Sequence, residues 1–246
     1  MWYKLKRILI YPDGVTEKQV YPKYEWKPDA SRTLLYLPLE SNTNDYSGNS
    51  RTTSATSVTF TTVGWVQSAH VWTSWWIIVT PNGFINHSTP YMTTSALVYV
   101  TSQTTSARRN VFEWAIQNTL YFATKLVENS SNIQVDWGNS NVASNSIIPN
   151  SWMHIVHTCW TPWTWYSKMY INWVLVGTAS MASDAYPRWN RPNSYQQSQT
   201  VLNWRGWVSA SQWLNWNARE IIFENIEWSD EDVSKYYQRI KNKLWI

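Results

Sequence analysis

Glu220, Glu224 and Glu227 are the carboxylates whose spacing raises the first chemical question. Retaining hydrolysis of a glycosidic bond needs two carboxyl groups about 5–5.5 Å apart. These three acids lie in the apolar stretch 219–228, which reads as a strand. Side chains alternate between faces along a strand, so Glu220 and Glu224 share a face while Glu224 and Glu227 oppose one another. The expectation is solvated acids on a strand face and no catalytic residues. His154 and His157 stand three apart in a second strand candidate, 153–159. They therefore point to opposite faces and cannot hold one metal ion. His70 and His87 are isolated in the sequence. Cys159 is the single cysteine, which excludes an internal disulfide and a multi-cysteine metal site. Its apolar surroundings predict a buried structural thiol. No P-loop, dinucleotide fingerprint or Ser-His-Asp grouping is present. The reading is of a protein that is not an enzyme.

Bulk properties narrow the class. The formal net charge is +4 and only 15% of residues are charged, while Ser, Thr and Asn are plentiful. No basic run or Arg-rich helix argues for nucleic acid; Lys4, Lys6 and Arg7 fit a solvated strand face. No apolar stretch approaches the roughly 20 residues of a membrane span. The N-terminus lacks the apolar core of a signal peptide. This profile predicts a protein of the extracellular surface or of a virion.

These residues must be positioned by strands. Val, Ile, Thr, Tyr and Phe alternate with polar residues over 34–39, 57–63, 69–79, 96–101, 120–127, 133–137, 153–159, 168–171, 174–178, 200–203 and 219–228. Turn clusters separate them, and many short strands with regular turns predict a sandwich or jelly roll. Residues 1–30 read as a separate β appendage and linker, with a strand over 3–11, and residues 31–246 as the main domain. One helix closes the chain. Ser229 with Asp232 makes a variant of the capping box. Asp230, Glu231 and Asp232 load its first turn and Lys235, Arg239, Lys241 and Lys243 its later turns, as the helix dipole favours. Val233, Tyr236, Tyr237 and Ile240 form an apolar stripe that predicts packing on the body.

The turns hold an anomaly. The runs 168–171 and 174–178 flank Asn172-Trp173, where a two-residue hairpin wants Asn-Gly. Both central residues of that turn need positive φ, which glycine tolerates and a bulky residue does not. The chain has 20 Trp and 7 Gly, where average usage of about 7% Gly would give roughly 17. Trp160, Trp163, Trp165, Trp204, Trp207, Trp213 and Trp216 also fall in turn-like contexts. The expectation is that many of these tryptophans are UGA codons that the native host reads as glycine. Trp163, Trp173 and Trp216 should then lie in exposed turns, with positive φ at Trp173, whereas Trp152 should be buried. The rival reading is a genuine Trp-rich surface that stacks on sugars.

With glycine restored at the turns, residues 151–180 resemble the concanavalin A-like lectin/glucanase superfamily, in its laminin G-like jelly-roll form. The strand Trp152-Met153-His154 leads into the hairpin Lys168-Met169-Tyr170-Ile171-Asn172-Trp173. Asp45-Tyr46-Ser47-Gly48-Asn49 is similar to that family's early turn, and Trp228-Ser229-Asp230-Glu231-Asp232-Val233 to its closing element. The match spans about residues 31–246, with 80–118 poorly matched. The resemblance implies an all-β sandwich of two antiparallel sheets with one C-terminal helix. It gives His154 a packing or hydrogen-bonding role. The family's glucanases carry Glu-x-Asp-x-Glu on one strand face; here Ile222 stands between Glu220 and Glu224. Some relatives bind calcium through loop carboxylates, which makes Asp45, Asp136 and Asp184 candidates, against a turn-stabilising role. The function implied is non-catalytic, lectin-like recognition or adhesion through a glycan or glycoconjugate, with contact residues unassigned. The alternatives are a structural component of a phage particle or surface appendage, attached to other subunits through residues 1–30, and a degenerate glycoside hydrolase.

Overall fold

The computed structural model describes residues 27–56, 58–71, 76–80, 91–101, 109–116, 119–126, 133–137, 140–144, 147–160, 166–180, 197–204 and 216–244. Two antiparallel sheets pack face to face. The larger contains β1 (Thr33–Leu37), β3 (Thr59–Val63), β4 (Val66–Val71), β6 (Tyr91–Val100), β11 (Ser151–Trp160), β12 (Tyr166–Ile171), β13 (Val174–Ser180) and β15 (Trp216–Glu224). Its order is β13-β12-β11-β6-β15-β4-β3, with β1 also paired to β15. The smaller holds β2 (Thr52–Thr56), β5 (Trp76–Thr80), β7 (Arg109–Ile116), β8 (Thr119–Leu126), β9 (Ile133–Trp137), β10 (Ser140–Ser144) and β14 (Gln197–Trp204). Its order is β10-β9-β8-β7-β14-β5-β2. Among the described residues one helix, α1 (Asp230–Leu244), follows the last strand.

Alternation along the strands divides the interior in two. Leu35, Leu37, Ala96, Val98, Ile155, Ile221 and Phe223 of the larger sheet join Val111 and Ile133 of the smaller in the core between the sheets. Residues of the opposite parity form a second core on the outer face: Tyr36, Leu97, Val156, Tyr170 and Ile222 meet Val233, Tyr236, Ile240 and Leu244 of α1. The predicted helical stripe thus packs on the sandwich; Tyr237 is only half-buried. Each fully buried apolar side chain contributes about 1.5–3 kcal/mol.

The capping box forms reciprocally. Asp232 N–H donates to Ser229 Oγ at 3.2 Å, and Ser229 N–H donates to Asp232 Oδ2 at 3.0 Å. The hairpin between β12 and β13 has positive φ at both Asn172 (49°) and Trp173 (68°), as its two-residue length demands. Asn172 also ties the turn to β11: its Oδ1 accepts from His154 N–H at 2.9 Å, and its own N–H donates to His154 O at 2.9 Å.

Several expectations need correction. The apolar run 69–79 is not one strand; it spans β4 of the larger sheet and β5 of the smaller. The run 219–228 is displaced, because β15 begins at Trp216 and ends at Glu224. Trp216 is therefore no exposed turn residue but is buried in the central core. Trp152 is half-buried, with its ring 5.5 Å from that of Tyr99. Strands β2, β7 and β10 lie where none was expected. Residues 3–11, Trp163, His87 and Asp184 lie outside the described residues.

Candidate recognition surface

The outer face of the larger sheet carries most of the polar chemistry, and β15 supplies its centre. One edge of β15 pairs with β4 through residues 216–218, then with β1 through residues 221–224. Glu220 sits at the handover, in a register shift against β6, with φ of 54°. Such a bulge re-aims a side chain. It turns Glu220 outward beneath α1.

The acids are not solvated, contrary to the expectation from strand alternation. Glu220 and Glu224 are both fully buried. Glu220 Oε2 accepts from Tyr36 Oη at 2.9 Å and Tyr236 Oη at 3.0 Å, and lies 3.5 Å from Arg239 Nη1. Its Oε1 accepts from Lys243 Nζ at 2.8 Å. Burial alone would raise the Glu220 pKa, but Arg239 and Lys243 outweigh it and hold the carboxyl below its ordinary range. Burial and this neighbouring carboxylate push both tyrosine hydroxyls up. Lys243 also bonds Glu40 at 3.2 Å, and Arg219 pairs with Glu40. Glu224 accepts from Thr33 Oγ1 at 2.9 Å and from Trp228 Nε1 at 2.6 Å, with Arg32 Nε at 3.6 Å. These carboxylates staple α1 and the closing segment to the sheet. Enclosed in this way, they have no path to a substrate bond. Glu227 is different: it is partly exposed and lies 4.0 Å from Lys168 Nζ, which is also 3.6 Å from Asp230.

His154 and His157 occupy opposite faces, as their spacing requires. His154 lies under α1, where its Nε2 meets Ser95 Oγ at 2.7 Å and its ring lies 5.5 Å from Tyr236 and 6.0 Å from Tyr237. His157 pairs in register with Thr94 of β6, opposite in parity to His154. Burial pushes both imidazoles down to about 3. His70 is not isolated in space, since its Nδ1 meets Asn217 Oδ1 at 3.2 Å. Burial pushes the Cys159 thiol up, consistent with a structural residue.

Asp45 is engaged within its own turn. Oδ1 accepts from the N–H groups of Tyr36 (3.0 Å) and Ser47 (2.9 Å), and Oδ2 from Ser47 Oγ (2.8 Å) and Arg51 N–H (3.2 Å). That is the turn-stabilising role. Asp136 pairs in register with Asn141 and Ala123. Among the described residues, no group of three or more His, Cys, Asp or Glu could hold a metal ion.

Among the described residues the exposed aromatics fall in four places, one of them Tyr46, 50% exposed in the Asp45–Asn49 turn. Trp65 is 91% exposed, in the turn after Gly64 (φ 63°). Trp173 is 43% exposed at the β12–β13 hairpin, its ring 4.7 Å from Tyr237. Tyr91 and Tyr166 are 39% and 37% exposed on the outer face, at the first positions of β6 and β12. Sequence reasoning singled out Trp173 but neither tyrosine, because their shared row exists only in the pairing of β6, β11 and β12.

Fold and surface together define a two-sheet antiparallel sandwich with its strand acids Glu220 and Glu224 committed to structure. Solved structures give this class particular members. The binding domain of Paraclostridial Mosquitocidal Protein 1 superposes with a TM-score of 0.66 at 15% identity, over 87% of this chain and 53% of that one. The binding domain of botulinum neurotoxin DC, solved in complex with rat synaptotagmin II, gives 0.63 at 15% identity, over 85% and 52%. The binding domain of botulinum neurotoxin serotype C1 gives 0.63, 15%, 85% and 52%. The chain thus spans about half the length of these similar structures. No protein-family model matches the sequence, and no curated protein matches it. No helix among the described residues is long and apolar enough to cross a membrane.

Proposed function

We propose that this chain is a non-catalytic, lectin-like recognition or adhesion module that binds a glycan or glycoconjugate at a cell or particle surface. The observation that carries the reading is the likeness of its sandwich to solved binding domains over most of its length. The enclosure of Glu220 and Glu224 supports it, because a hydrolase of this architecture would need two accessible carboxylates. The sandwich and the motifs around Trp152, Asn172 and Trp228 favour a concanavalin A-like, laminin G-like jelly roll, with residues 1–30 as an attached β appendage. The left-handed backbone at Trp173 favours glycine as the residue intended there. Codons at Trp65, Trp163 and Trp173 test this directly: UGG at all three ends the recoding idea.

A glycan array probed with the full chain tests the function. Binding to a defined glycan class is the expected result, and hydrolysis of a β-glucan would overturn the reading. The second reading is a structural subunit of a phage particle or appendage, favoured by the separate composition of residues 1–30. Multimers that dissociate on deleting those residues, without any glycan binding, would select it.

A further inference from the structure

One end of the outer face carries two exposed tyrosines in one cross-strand row. Tyr91 opens β6 and pairs in register with Trp160 of β11, which pairs in turn with Tyr166 of β12. Directly paired residues share a face. Tyr91 has the parity of Leu97, and Tyr166 that of Tyr170, both in the outer core, so both tyrosines stand on the outer face. They are two strands apart, roughly 9.5 Å at the usual strand spacing. Each tyrosine keeps more than a third of its surface exposed, at 39% and 37%.

Polar groups border this row on its inner side. Lys168, two residues along β12 from Tyr166, faces the same way and lies 4.0 Å from Glu227, and both side chains are partly exposed at 26% and 29%. The closing segment reaches the row's edge through Thr93, whose Oγ1 donates to Ile226 O at 2.7 Å. Rings in a line with a donor and an acceptor alongside match the chemistry of an extended chain of pyranose sugars. The rings cover the apolar sugar faces, and the ammonium and carboxylate bond the hydroxyls. That strand separation is about two sugar lengths, so the rings suit alternate sugars of such a chain.

We propose that Tyr91 and Tyr166, backed by Lys168 and Glu227, form a binding platform for an extended, uncharged glycan chain lying across β6, β11 and β12. This rests on the lectin-like reading and gives it a site. It has one advantage over any site built on the tryptophans: tyrosine codons are untouched by how UGA is read. Trp65 and Trp173, both exposed, lose their rings if they are glycine in the native protein.

The test uses the full chain and the extended neutral oligosaccharide that binds best on the array, titrated calorimetrically. Tyr91→Ser and Tyr166→Ser are each expected to weaken binding on the order of tenfold, the effect of losing one stacked ring. The double variant should abolish measurable binding while its circular dichroism spectrum and cooperative unfolding are retained. Lys168→Met should weaken binding without touching either ring, and Trp65→Gly should leave it unchanged. If the oligosaccharide binds the double variant as well as the parent, this platform is wrong while the lectin-like reading stands. If no glycan binds the parent chain, both fall together.

Discussion

The two faces of β15 obey opposite rules. Inward, Trp216, Ala218, Ile221 and Phe223 form an uninterrupted apolar row in the central core. Outward, Asn217, Arg219, Glu220, Ile222 and Glu224 are almost as well buried, yet four of the five are polar or charged. The inner face is held by shape and dispersion, the outer by hydrogen bonds and ion pairs that fix one position for α1. Polarity on a strand face is therefore no guide to solvent exposure once a helix covers it. Hydrophobic cover would hold α1 as tightly but would let it slide; a carboxylate gripped by Tyr36, Tyr236, Arg239 and Lys243 does not.

The sharpest break of this contrast is Glu220→Ala. Removing a buried carboxylate takes this acceptor from Arg239 and two hydroxyls and leaves Lys243 with Glu40, a loss of about 3–5 kcal/mol. Ile221→Ala on the inner face should cost about 2–5 kcal/mol through its cavity. The two are separable by pH, because acid that protonates Glu220 narrows the gap between the parent and Glu220→Ala and leaves the gap for Ile221→Ala. A denaturation midpoint that barely moves for Glu220→Ala would mean the staple is not what holds α1.

Acid should reach both faces at once. His154 lies outside and His157 inside, and both are held neutral with pKa values pushed down to about 3 from an ordinary 6.5. The unfolded chain binds these protons first, so stability is full above pH 6.5 and falls as pH drops towards 3. Each histidine should remove about 2 kcal/mol by pH 5. Glu220, lowered from 4.5, adds its own loss only below that value. Chemical denaturation at pH 7 and pH 5 measures the drop. Gln at either position should shrink it by about half, and an unchanged drop in both variants would show that neither imidazole is held neutral.

At the edge of the outer face the effects become smaller. Ser229→Ala removes the acceptor for Asp232 N–H and should cost about 1 kcal/mol. Helix amide exchange should speed up in the first turn while β15 stays protected. Equal speeding in α1 and β15 would mean that helix and sheet open as one unit.

What could be read in the sequence divides along the same line. The β12–β13 hairpin, strand β9 and the capping box depend on neighbours in the chain, and each was legible. Strand β10, with its run Ser-Asn-Val-Ala-Ser, is too small and polar to read as a strand. The run 69–79 hides a change of sheet because both halves are apolar. Glu220 and Glu224 were misread as solvated because their cover, α1, and their hydrogen-bond partner Tyr36 or Thr33 come from distant parts of the chain. The bulge at Glu220 has no local signal: it exists because β15 passes from β4 to β1. The aromatic row needs the register of three strands, so spacing along the sequence could not disclose it.

The smallest effect isolates the hairpin strain. Trp173→Gly relieves a left-handed backbone worth about 1–2 kcal/mol. It also adds about 0.4–1 kcal/mol of unfolded-state freedom and forfeits a ring contact with Tyr237 worth about 0.5–1.5 kcal/mol. The net change should lie within about 1 kcal/mol of zero, and alone it decides little. Trp173→Ala loses the same ring but keeps a Cβ at φ 68°, so Gly should exceed Ala there by up to about 1 kcal/mol. Trp65 supplies the counterpart. In its turn Gly64 takes the positive φ and Trp65 does not, so Trp65→Gly should be less stable than Trp65→Ala by about 0.4–1 kcal/mol. Opposite orders at the two turns would show that backbone sign, not ring size, sets which turn wants glycine. The same order at both would remove the backbone argument for glycine at Trp173.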